Sequence, residues 1–178
     1  MSPIPLKIQR RARKIKLLLL DVDGVLTDGG IVIGSSGEEL KRFNVRDGHG
    51  IKLWIEAGHG LGLLTSRSSR AVGRRAKELG IRMVYQKVAD KLATYQEVKK
   101  QTGLTDPEIA YVGDDIVDLP VLRRVGLAIA VKGAARDLLG RVHYRTREGG
   151  GQGAVREVVE LILHAQGRWN TLVRGYLS

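Results

Sequence analysis

The sequence reads as an α/β protein. The apolar runs are short and evenly spaced, and most are continuously apolar rather than alternating, the pattern of strands buried on both faces. Stretches of helical character separate them, so strand and helix alternate along the chain. Together these predict a Rossmann-like parallel sheet with helices on both faces.

The candidate strands are Lys16–Leu20, Leu61–Leu64, Met83–Tyr85, Ile109–Val112, Leu127–Val131 and a weaker run at Val142–Tyr144. The candidate helices are Gly50–Ala57, Ser69–Leu79, Lys91–Gln101, Leu119–Arg124, Ala134–Leu139 and the longer, amphipathic Ala154–Ala165. One segment breaks the alternation. GGIVIGSSGEELKRFNVRD, residues 29–47, has two β-like runs around Gly34-Ser35-Ser36-Gly37 and predicts a β-hairpin inserted after the first strand. Asp47 reads as the N-cap of the helix that follows. Residues 1–15 form a basic leader, 16–167 a single domain and 168–178 a tail.

With 178 residues, 43% of them apolar, the chain can bury a substantial core. Cysteine is absent, which excludes disulfides and thiolate metal sites and suits a reducing compartment. No run is apolar enough to span a membrane, and the N-terminus lacks a signal-peptide pattern. A cytoplasmic protein without membrane partners is therefore expected. Lys and Arg number 30 against 19 Asp and Glu, a formal charge of +11. Nucleic acid, an anionic membrane and an anionic small substrate could each explain that excess. Aromatic residues make up only 4%, too few for base-stacking platforms, so no nucleic-acid partner is expected. The cations of the leader read as solvated.

In an open parallel sheet, ligands bind outside the carboxyl ends of the strands. Asp21 and Asp23 follow the first strand. Thr65, Ser66 and Arg67 follow the second, Lys87 and Lys91 the third, and Gly113, Asp114, Asp115 and Asp118 the fourth. Clustered carboxylates repel one another unless a cation sits among them. Oxygen ligands without His or Cys suit Mg²⁺, which accepts phosphate as a co-ligand. A metal, a lysine and a hydroxyl together can neutralise a transferring phosphoryl group, and an aspartate can be its nucleophile. Asp21 fits the nucleophile's place on a rigid strand end. Asp23, two residues on, fits the general acid and base.

DVDGVLTDG, the Thr65 strand end, Lys91 and GDDIVD resemble, in order and spacing, the four motifs of the haloacid dehalogenase superfamily of aspartate-nucleophile phosphatases. DVDGVLTDGGI, FNVRDGHGIK, LLTSRSS, GDDIVDLPVL and TREGGGQGAVREVVELIL are similar to the small branch that dephosphorylates 3-deoxy-D-manno-octulosonate 8-phosphate (KDO 8-phosphate). The resemblance covers roughly residues 14–167. It implies Asp21 as nucleophile and metal ligand, and Asp23 as general acid/base with its main-chain carbonyl on the metal. It implies Asp114 as the third protein ligand of Mg²⁺, and Thr65 and Lys91 as binders of the phosphoryl group. Asp115 and Asp118 would orient that shell. Arg67 would contact a phosphorylated acidic sugar, and Arg147, in the TREGGGQGA loop, would reach an adjacent site. The branch lacks a large cap domain and forms homotetramers in which hairpins meet and a neighbouring subunit helps close each active site. Its pathway is lipopolysaccharide synthesis.

The chain departs from the family pattern at Ser66, where Gly is usual, at Lys87, where Gly is usual, and at His49, where Tyr is usual. Blander readings stand beside the chemical ones. Asp21 and Asp23 alone could cap a strand-to-helix turn, and Thr65 and Asp118 could be helix caps. Lys91 could be solvated, with Lys87 as the rival cation. Arg147 and Glu148 could be a surface pair, and GGGQG could be an anion cradle or a flexible turn. The four histidines lack metal-ligand spacing and read as structural or solvated. Two alternative functions stay open: a phosphatase for a related nine-carbon sugar acid, and a catalytically idle basic scaffold on the same fold.

Overall fold

The computed structural model describes residues 4–177. Its elements, in chain order, are α1 (Leu6–Ala12), β1 (Leu17–Leu20), β2 (Val32–Ile33), β3 (Glu39–Leu40), α2 (Val45–Glu56), β4 (Gly60–Leu64), α3 (Arg70–Leu79), β5 (Met83–Tyr85), α4 (Lys91–Thr102), β6 (Ile109–Gly113), α5 (Leu119–Leu122), β7 (Leu127–Lys132), β8 (Tyr144–Gly149), α6 (Ala154–Ala165) and α7 (Trp169–Arg174). Six strands form one sheet in the order β5-β4-β1-β6-β7-β8, every pairing parallel. The chain leaves β1 towards β4 on one side and β6 on the other, so the switch point lies at the carboxyl end of β1.

The leucines of β1 show why the run is continuous. Leu18 and Leu20 pack into the core that α1, α2, α3 and α6 cover; Leu17 and Leu19 pack into the one under α4 and α5. All four are fully buried, and each contributes on the order of 1.5–3 kcal/mol of apolar transfer. The small sheet β2–β3 pairs antiparallel, Val32 with Leu40 and Ile33 with Glu39, around the turn at 34–37. Among the described residues no helix is long and apolar enough to cross a membrane.

Several expected boundaries differ. α2 begins at Val45 rather than Gly50, because the Asn44 side chain caps it, accepting from Arg46 N (2.8 Å) and Asp47 N (3.4 Å). Asp47 caps a different helix. Buried within α2, it accepts from Gly153 N (3.2 Å) and Arg156 N (2.8 Å) at the start of α6. Burial raises its carboxyl above the ordinary range despite those bonds. β8 runs from Tyr144 to Gly149 rather than Val142 to Tyr144; only Thr146 of its residues is buried, so hydropathy does not mark it. The helix expected at 134–139 is a single 3₁₀ turn, Arg136–Leu138. The leader is not simply solvated: it folds as α1, with Ile8 and Ala12 buried. The tail contains α7.

Residues 149–153, the GGGQG loop, are neither an anion cradle nor a loose turn. Gly151 N donates to Val25 O (3.0 Å), and Asn44 Nδ2 donates to Gly151 O (3.2 Å). A Cβ on Gly150 would stand 1.8 Å from Gly24 O, so only glycine allows the two loops to meet. The loop braces the turn that carries Asp21 and Asp23. The histidines are structural where the structure shows their partners: His143 Nδ1 accepts from Ala128 N (2.9 Å), and His59 stacks on Trp54 with ring centroids 4.3 Å apart.

Candidate active site

Parallel register delivers the carboxylates to one edge. Leu20 of β1 lies level with Leu63 of β4 and Val112 of β6. Asp21 therefore leaves β1 beside the ends of the two strands that lead to Thr65 and Asp114. Its backbone is still held by the sheet, since Asp21 N donates to Val112 O at 3.0 Å. Its side chain is 6% exposed, and Oδ1 accepts from Val22 N at 2.8 Å.

Asp21, Asp114 and Asp118 each bring a carboxylate oxygen to within 4.8 Å of the others. Burial and then the Asp118 charge push the Asp21 carboxyl up to about 6, against the pull of Lys91. Burial, followed by Asp21, Asp118 and Asp115, pushes Asp114 up to about 7. Both groups resist ionisation because they are dry and face like charges. A divalent cation among these oxygens would reverse that preference, and an all-oxygen set without His or Cys fits Mg²⁺. Gly24 leaves room for Asp114: with φ +86° and no side chain, it lets Asp114 Oδ2 lie 2.0 Å from where a Cβ would stand.

Asp118 is more deeply committed than a helix cap. It makes no side-chain cap bond to α5. Fully buried, it holds Lys91 Nζ (2.6 Å) and the Tyr111 hydroxyl (2.6 Å) on one oxygen. Asp114 N (2.9 Å) and Asp115 N (3.3 Å) donate to the other. Asp115 accepts from Ile116 N at 2.7 Å and caps the 3₁₀ turn.

Lys91, at the first position of α4, is the cation of the site. Its Nζ is 3.0 Å from Asp21 Oδ2, and the side chain is 4% exposed. Burial alone would depress the ammonium, but Asp118 and Asp21 outweigh it and hold the group above its ordinary value. Asp90 caps α4, freeing Lys91 to turn inward. Lys87, the rival, is exposed and has φ 56°.

Asp23 points towards the hairpin. Oδ1 pairs with Lys41, whose side chain is 1% exposed and also lies 3.2 Å from Glu39. Oδ2 is buried with no hydrogen-bond partner among the described residues; Arg67 Nε is 3.9 Å away. Arg67 closes this rim by pairing with Glu39 at 2.5 Å, an ion pair that holds the Glu39 carboxyl at about 2. Thr65 is buried and its Oγ1 accepts from Arg67 N at 3.2 Å.

Asp21, Asp114, Asp118 and Lys91 thus form one contact cluster, and Asp23, Lys41, Glu39 and Arg67 form a second, entered from the hairpin. Arg147 joins neither: it sits on β8, its guanidinium 3.8 Å from Glu157. Lys41 and Glu39 were not picked out by motif reasoning. Their signal was the period of two in β3, which puts both on the face opposite the exposed Leu40.

Comparison with known proteins follows this geometry. No protein-family model matches the chain. The 3-deoxy-D-manno-octulosonate 8-phosphate phosphatase KdsC of Escherichia coli strain K12 is 44% identical over 167 residues, 94% of this chain and 89% of that protein. The same-named protein of Yersinia pestis is 46% identical over 165 residues, 93% of this chain and 88% of its own. Its crystal structure superposes with a TM-score of 0.93 at 45% identity, covering 94% of this chain and 91% of that one. The Moraxella catarrhalis 3-deoxy-D-manno-octulosonate 8-phosphate phosphatase, solved with magnesium, phosphate and KDO, superposes with a TM-score of 0.93 at 41% identity, covering 96% and 98% of the two chains.

Proposed function

The chain belongs to the KDO 8-phosphate phosphatase family of the haloacid dehalogenase superfamily, and from that premise we propose how its own residues carry the reaction. It is a Mg²⁺-dependent phosphoric monoester hydrolase that converts KDO 8-phosphate to KDO and phosphate, a step of lipopolysaccharide synthesis.

The observation that carries the assignment is the facing pair Asp21 and Asp114 beside Lys91, 3.0 Å from Asp21. Asp21, Asp114 and the main-chain carbonyl of Asp23 would hold Mg²⁺, which supplies charge neutralisation for the phosphoryl oxygens. A carboxylate oxygen of Asp21 attacks phosphorus while the bond from phosphorus to the sugar oxygen breaks, giving an aspartyl-phosphate. Asp23 hands a proton to the departing alkoxide; its unpartnered Oδ2 is the oxygen placed to carry it. Asp23 then takes a proton from the water that attacks phosphorus, and Asp21 and inorganic phosphate are released. Lys91 and the Thr65 hydroxyl hold the phosphoryl oxygens throughout. Asp118 keeps Lys91 aimed inward. Arg67, on the rim beside Asp23, pairs with the carboxylate of the acidic sugar.

The assembly we assign is a homotetramer in the cytoplasm. Ile31, Val32, Ile33 and Leu40 of the hairpin are all more than half exposed, which supports hairpins meeting between subunits. A neighbour would then complete each active site, with Arg147 reaching towards it.

The test is phosphate release from a panel of phosphorylated sugar acids, with Mg²⁺ and with EDTA. Preference for KDO 8-phosphate, lost on chelation and in Asp21→Asn, is expected. Metal-dependent preference for a nine-carbon acid would keep the chemistry and move the substrate; full activity in Asp21→Asn would sink the residue assignment.

A further inference from the structure

The leader helix builds a second concave surface, at the opposite end of the strands from the carboxylates. A cleft of about 760 Å³ lies between α1 and the segments that enter β6 and β7. Lys7, Arg10, Arg11 and Lys14 line it from the leader, and Arg124 lines it from the other wall. The lining includes a single acid, Asp106. That carboxylate is already engaged from outside the cleft, by Lys99 Nζ at 2.6 Å and by the Tyr95 hydroxyl at 2.6 Å. Among the described residues, Lys7, Arg10 and Lys14 have no carboxylate within ion-pair distance.

The walls are held firmly. Arg11 Nη1 donates to Gly126 O and Arg124 Nη1 to Pro120 O, both at 2.7 Å. Gly126 N donates to Asp106 O at 2.6 Å, and a Cβ on Gly126 would stand 2.5 Å from Pro107 O. The positive field reaches the sheet: His143 is held below its ordinary pKa by burial first, and then by Arg11 and Lys7. Uncompensated like charges in a cleft cost stability and concentrate anions there. Between the cations the lining turns apolar, with Pro107, Val125 and Leu6, which is 70% exposed.

We propose that this cleft binds a small organic polyanion with a flat apolar body and two or more phosphates, the chemical class of nucleoside di- and triphosphates. Its volume falls in the small-molecule range. Inorganic phosphate would use the cations and leave the apolar wall idle. A nucleic-acid strand needs a longer cationic track with stacking aromatics, and aromatic residues are 4% of this chain. The proposal does not depend on the phosphatase assignment.

The experiment is calorimetric titration of the full chain with ATP, in EDTA and at low salt. A dissociation constant below about 1 mM, weakening as salt is added, is expected. Tripolyphosphate should bind more weakly, and adenosine not detectably. Combining Lys7→Gln, Arg10→Gln and Lys14→Gln, all at exposed positions, should weaken ATP binding about tenfold or more while phosphatase activity and Tm hold. Asp21→Asn should bind ATP as the wild type does, which separates this cleft from the carboxylate site. Absence of ATP binding, binding unchanged in the triple variant, or binding lost in Asp21→Asn would each overturn the proposal. So would equal affinity for tripolyphosphate, or an oligonucleotide that displaces ATP at moderate salt.

Discussion

Lys91 Nζ is closer to Asp118 (2.6 Å) than to Asp21 (3.0 Å). The ammonium is therefore anchored by a carboxylate outside the proposed chemistry and presented to one inside it. Asp118 also fixes Tyr111 and the main chain of Asp114 and Asp115. Breaking a buried pair of this kind by removing one partner costs about 3–5 kcal/mol. Asp118→Ala should lower the Tm by several degrees and cut kcat by about 100-fold, with Asp118→Asn milder on stability. Wild-type kcat in a folded Asp118→Asn would show that Lys91 needs no such anchor.

Asp21→Asn keeps the shape of the side chain and removes its nucleophilic charge. Turnover should fall by at least about 1,000-fold while the Tm holds or rises, because a buried charge facing Asp118 and Asp114 is gone. Phosphate release and thermal melting on one preparation decide it; a large loss of Tm would mean that activity was lost through the fold.

Much of this site was legible in the sequence because it is built on strand ends. A continuous apolar run such as LLLL can only be a strand buried on both faces, and whatever follows it must emerge at the sheet edge. That places Asp21, Thr65 and Asp114 together before any coordinate is seen. Lys91 was harder, since a lysine at a helix start is ordinarily solvated; its inward turn depends on Asp118, and that pairing is tertiary. Asp47 and Asn44 each look like a cap, and only the approach of α6 to α2 decides that Asp47 serves the other helix. The edge strand β8 and the leader helix escaped notice because both are rich in charge and bury only one or two residues each.

Asp21 and Asp114 also set a pH dependence for the metal-free chain. Their folded pKa values, about 6 and about 7, lie above the ordinary 3.8. Between pH 4 and 7 the native state therefore holds protons that the unfolded chain has released. Stability from these groups is full below about pH 4 and is lost as pH rises towards 7, on the order of a few kcal/mol. Adding Mg²⁺ favours the ionised carboxylates, so its gain in Tm should be larger at pH 8 than at pH 5. Melting curves in EDTA and in Mg²⁺ at both values test this; an equal gain would place the cation elsewhere.

Lys41 carries its buried ammonium from the hairpin to Asp23 and Glu39. Lys41→Met would leave two carboxylates facing each other without a cation. We expect kcat to fall roughly 10- to 100-fold and amide exchange to quicken across residues 29–42. Unchanged exchange with reduced kcat would confine Lys41 to the chemistry. Unchanged activity would mean that the hairpin does not need this tie.

The outward face of the hairpin carries a separate expectation. Val32 and Ile33 are 56% and 69% exposed, on a ribbon of two short strands that is marginal by itself in water. A partner hairpin would cover them. Val32→Glu combined with Ile33→Glu puts like charges into that contact and should shift the particle mass from tetramer towards monomer in light scattering. Activity should fall with the mass, because Glu39 and Lys41 on the same ribbon contact Arg67 and Asp23. A monomeric variant with wild-type kcat and KM would show that one chain holds a complete site, and would remove the neighbouring subunit from the mechanism.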